Sequence, residues 1–128
     1  MERNTEFVAD PTLHLGQRIL EKANEINHLA ASLFDKYTPV KLFVELANKY
    51  RYIATADTMA SQSRALLVFN KQAVEYDIDH ILNNTVPHEM AHVVVEMLRH
   101  NGTLAPKQDH GPEWRSICSA LGGGWQAS

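Results

Sequence analysis

Residues 79–101 constrain most strongly what this chain can become. Leu82, Val86, Met90, Val94 and Met97 recur at helical spacing, so a long amphipathic helix is expected here. At 3.6 residues per turn, His88, Glu89, His92 and Glu96 fall on the side opposite that apolar stripe. Asn101-Gly102 closes the segment, with Gly102 suited to the left-handed position beyond a helix end. Pro87 is the awkward residue. It lacks a backbone donor and perturbs the turn before it, so the helix either begins near Thr85 or is kinked there.

His88-Glu89-Met90-Ala91-His92 has the form H-E-x-x-H. Two imidazoles one helical turn apart can reach a single Zn²⁺ at about 2.0–2.1 Å. Glu89 is displaced around the helix from His88, so it can reach a water polarised by the metal without being a ligand. It can accept that water's proton and later deliver it to a leaving amine. By composition alone the pattern should arise in well under about one chain in a hundred of this length.

A catalytic zinc site needs a third protein ligand. The metzincin arrangement, a glycine and a histidine shortly after the motif, is excluded because those positions hold Val95 and Leu98. His100 lies eight residues beyond His92, about 12 Å along a helix axis, too far to share the ion. The candidates left by spacing are Asp109, His110 and Glu113, all within "DHGPEW". Glu113 would serve in the manner of a gluzincin, and His110 stands beside Gly111, where little bulk blocks approach.

The rest of the chain reads as helix, three short strands, long helix, short helix. "DPT" at 10–12 starts a helix, with Asp10 as cap and Pro11 in the first turn. Leu15, Ile19, Ala23, Ile26, Ala30 and Leu33 form its stripe, which should end before Thr38-Pro39. Residues 40–46 alternate as a strand. "YRYIATADTM" is a less distinct second strand, "SQS" a turn, and "RALLVFN" at 64–70 a more buried third. These strands are expected to form a small, mainly antiparallel meander. Pro112 begins the last helix, on which Trp114, Ile117, Cys118 and Leu121 make an apolar stripe.

The length of 128 residues suits a single α+β domain with a loose lead-in at 1–9. The net charge of −3 and the lack of any Lys/Arg run do not mark a nucleic-acid module. No membrane span or signal peptide is visible, and the lone Cys118 permits no intrachain disulfide, which together suggest a cytoplasmic or other intracellular setting. Cys118 itself reads as a small core hydrophobe.

"VPHEMAHVV", followed after a gap by "HGPEWRSICSALG", closely resembles the SprT-like family of zinc metalloproteases, of Spartan/SprT type. The likeness is strongest over residues 80–122 and weaker along "RALLVFNKQAV". It implies a zincin-like minimal protease core with a small sheet against the active-site helix. It further implies His88, His92 and His110 as ligands of one Zn²⁺, with Glu89 as catalytic base. Under it, Glu113 becomes a carboxylate near a helix N-terminus, suited to the macrodipole. Many SprT proteins continue into a four-cysteine C-terminal zinc ribbon, which the single cysteine of these 128 residues does not lead one to expect here.

The expected function is therefore a zinc-dependent endopeptidase, with a protein or peptide as substrate. Action on DNA-associated proteins is only weakly transferred, since a DNA face would rest on the scattered Lys41, Lys49, Arg51 and Arg64. The alternatives are a non-proteolytic, zinc-stabilised DNA- or protein-binding module, and a zinc hydrolase of another amide or ester. Residues 54–59 are the expected substrate-binding edge, and Tyr50, Tyr52, His100 and Arg115 are candidates for steadying an oxyanion.

Overall fold

The computed structural model describes residues 11–103 and 111–123. The lead-in at 1–9, the Asp10 cap, and the ligand candidates Asp109 and His110 lie outside the described residues.

The chain folds as α+β. Helix α1 (Pro11–Leu33) precedes strands β1 (Lys41–Ala47), β2 (Ala54–Met59) and β3 (Arg64–Asn70), with a 3₁₀ turn at Ala60–Gln62. Then come α2 (Lys71–Tyr76), the single turn α3 (Ile78–His80), a π-helical turn (Ile81–Thr85), α4 (Val86–His100) and α5 (Pro112–Ala120).

On α1, Ile19, Ala23, Ile26 and Ala30 are buried as their spacing predicts. Asn27, beside that stripe, is buried too, and it fixes how the chain leaves the helix. Its Nδ2 donates to the Val40 carbonyl at 2.8 Å. Its Oδ1 accepts from the Tyr37 hydroxyl at 2.6 Å and from the Val40 amide at 3.2 Å. These bonds fold residues 34–40 back onto α1, so the helix stops at Leu33, short of Thr38-Pro39.

The sheet is mixed and not the mainly antiparallel meander expected. Its order is β1-β3-β2, with β1 parallel and β2 antiparallel to the central β3. The β2–β3 hairpin forms where a turn was expected, closed by Ser63 in the left-handed region at φ 53°. The connection at 48–53 instead carries the chain past the end of β3 to the far edge. Alternation within a strand fixes which face is buried, but it carries no information on neighbour order. Leu42, Ala65, Leu67 and Phe69 form the buried face, with α1 against β1 and α4 against β2. That order leaves β2 as an edge strand alongside α4.

Helix α2 was not anticipated. Asn70, the last residue of β3, caps it by accepting from the Ala73 amide at 2.8 Å, an ordinary N-cap bond.

Candidate metal centre

The approach to α4 resolves the problem posed by Pro87. The chain is helical from Ile78 onward, but residues Ile81–Thr85 widen into a π turn, and the Val86 amide bonds the Ile81 carbonyl five residues back. Pro87 then falls in the first turn of α4, where a missing donor costs least. A single wide turn of this kind shifts the phase of the helix just before His88.

Helix α4 is buried on nearly all sides, not on one stripe. Pro87, His88, Glu89, Ala91, Val93 and Val95 are enclosed along with Val86, Met90, Val94 and Met97. Only Glu96 and His100 on this helix are exposed. Helix α1, strand β2 and α5 all pack against it, so the side expected to face solvent is roofed instead. The segment after α5 also closes on its start. A methyl group at Gly123 would lie 2.7 Å from Pro87 Cβ and 3.1 Å from Cys118 Sγ, so the absence of a side chain permits that approach.

The histidines of the motif sit together. The His88 and His92 ring centroids are 5.2 Å apart, with the planes inclined at 67°. His88 and Glu89 are each 6% exposed, while His92 is half-buried. Glu89 Oε2 lies 4.0 Å from His88 Nε2. All three side chains line a cavity of about 640 Å³, whose opposite wall is β2 from Ala54 to Thr58. Burial pushes the Glu89 carboxyl up to about 7. A cation held by the flanking imidazoles would act in the other direction and favour the carboxylate. Burial and, secondarily, the charge of Glu89 push the Cys118 thiol up to about 11, which makes it an inert core side chain.

Two imidazole donors one turn apart, beside an enclosed carboxylate and open to a cavity, suit a borderline ion such as Zn²⁺. They could supply two ligands. Among the described residues no group of three or more His, Cys, Asp or Glu is placed to hold a metal. Glu113 is not brought to the imidazoles. It lines a separate groove with Leu33, Phe34, Leu98 and Ile117, and its Oε1 is enclosed there without a hydrogen-bond partner. Of the residues considered for an oxyanion, only Tyr52 lines the cavity. The Tyr50 hydroxyl is bonded to Thr55 Oγ1 at 2.6 Å, and His100 and Arg115 are exposed elsewhere.

The profile of the SprT-like family matches residues 20–126, which takes in both H-E-x-x-H and "HGPEW". The chain belongs to the SprT-like family. It is thus a metalloprotease-related domain. No curated protein and no solved structure matches it. Among the described residues, no helix is long and apolar enough to cross a membrane.

In this SprT-like domain one further residue shapes the centre. Trp114 of α5 is 1% exposed and packs against both motif histidines. Its ring lies 4.8 Å from His88, edge-on at 67°, and 5.2 Å from His92, nearly stacked at 29°. The sequence places Trp114 only on the apolar stripe of α5. Its position directly after "HGPE", in the second of the paired motifs, is the signal that could have tied it to the site.

Proposed function

We propose that this domain is a zinc-dependent endopeptidase of SprT type, with His88, His92 and His110 as the ligands of one Zn²⁺ and Glu89 as the general base. The observation that carries the reading is the placement of His88, Glu89 and His92 side by side in a cleft walled by an edge strand. His110 stands two residues before α5, whose Trp114 packs on both imidazoles, and the donor set is incomplete without it. The alternative Glu113 is turned into another groove.

Zinc in this position supplies Lewis acidity, lowering the pKa of a bound water to about 7 and polarising a peptide carbonyl. Glu89 takes the proton of the attacking water on its carboxylate and returns it to the leaving amide nitrogen. Its enclosure keeps bulk water from competing for that proton. His88 and His92 are held in place by Trp114, so the ligands need little rearrangement. Among the described residues strand β2 is the outer strand of the sheet, and Ala54, Thr55 and Ala56 leave room for a peptide to lie along it as an added strand. A zinc-stabilised binding module would have no need for a buried carboxylate opening on such a cleft.

The purified domain is expected to fragment a denatured protein, to stop when a zinc chelator is added, and to resume when Zn²⁺ is restored. The assay is run with and without single-stranded DNA. Absence of chelator-sensitive fragments in both arms would favour the binding-module reading.

A further inference from the structure

Arg99 lies seven residues beyond His92 on α4 and lines the same cavity. It is half-buried, and its Nε is enclosed without a hydrogen-bond partner. An unpaired guanidinium at a half-buried position is unfavourable, and an acceptor bound in the cleft would improve its pairing. Glu96, one turn earlier on α4, forms no ion pair with it. Arg99 therefore presents an uncommitted planar fork of donors to the cleft.

We propose that Arg99 is a specificity-determining residue that receives a carboxylate of the bound peptide about three residues from the bond being cut. The inference rests on the peptidase reading. Seven helical residues span about 10 Å, and an extended peptide covers that distance in about three residues. Asp57 and Glu96 also line the cavity, but both are exposed, so their repulsion of an anion is screened by water and salt. Arg99 acts at short range, where a guanidinium binds a carboxylate through two parallel hydrogen bonds. The carboxylate can come from an Asp or Glu side chain, or from the free end of the substrate chain.

Matched peptides around one cleaved bond distinguish these sources. End-blocked pairs carry Glu or Gln at the second, third or fourth position on either side, and a further pair ends three residues past the bond as free acid or amide. With the zinc-loaded domain, an acid at one such place is expected to raise kcat/KM about tenfold, mainly through KM. Arg99→Gln should bring that ratio to about one, Arg99→Lys should give an intermediate value, and Arg99→Glu should favour Lys over Gln at the same position. Preference among the blocked pairs identifies a side chain, and preference confined to the last pair identifies a chain end. Equal kcat/KM within every pair overturns the inference while leaving the peptidase reading intact. If no peptide is cut, the peptidase reading fails, and the same pairs are compared by fluorescence anisotropy for binding to zinc-loaded Glu89→Gln protein. A preference for the acid that vanishes with Arg99→Gln sustains Arg99 as a carboxylate receptor of the cleft without a cleaved bond, and equal or absent binding overturns that role too.

Discussion

Replacing Glu89 with Gln should leave zinc content at its wild-type value and lower turnover of a denatured protein by at least about 10²–10⁴-fold. The two side chains have nearly the same shape, so the packing around position 89, which is 6% exposed, is preserved. What is lost, in the proposed mechanism, is the proton acceptor. An amide oxygen beside His88 cannot take a proton from water at neutral pH and hand it to a leaving nitrogen. The carboxylate also stands beside the ligands without being one of them in the proposed arrangement, so the substitution separates binding of the ion from use of it. Zinc analysis and cleavage assays on the same preparation check both halves. Loss of zinc together with activity would place Glu89 among the ligands, and undiminished activity would remove it as the base.

Trp114→Ala should weaken both the fold and zinc binding. The indole is 1% exposed and touches both imidazoles. Truncating such a side chain costs about 3–5 kcal/mol through lost contacts and the cavity left behind. The ring also limits how His88 and His92 can rotate, so zinc affinity should fall by about 10–100-fold, as when other supports of metal ligands are removed. Trp114→Phe keeps an aromatic face and should recover most of the affinity even where stability is only partly restored. Urea unfolding of the metal-free proteins and chelator competition on the zinc-loaded ones measure the two effects separately. A stability loss with zinc affinity unchanged would reduce Trp114 to a packing residue.

The sequence is informative where chemistry is local. The α1 stripe, the turn at Ser63 and the third strand appear where spacing and turn residues place them. His88, Glu89 and His92 share one helix and meet in one cavity for the same reason. What is not legible depends on contacts between distant segments. Nothing in the alternation of β1 says that it lies parallel to β3 with β2 on the outer edge. The period of α4 suggests a polar outer side, yet β2 and α5 cover His88 and Glu89. Trp114 reads as one member of a stripe, and only the packing of α5 on α4 reveals that it abuts both imidazoles. Glu113 passes a spacing test for a ligand but is turned toward the groove beside Leu33 and Phe34. Only the cavity shows that Arg99, in the last turn of α4, faces the site.

The central claim is that three imidazoles converge on one ion beside a carboxylate that does not bind it. Zinc per folded chain, measured for the wild type and for His88→Ala, His92→Ala and His110→Ala, tests it most directly. The account predicts about one zinc per wild-type chain and a sharp loss in each variant. Full zinc content in any of these variants, with the fold intact, would contradict it.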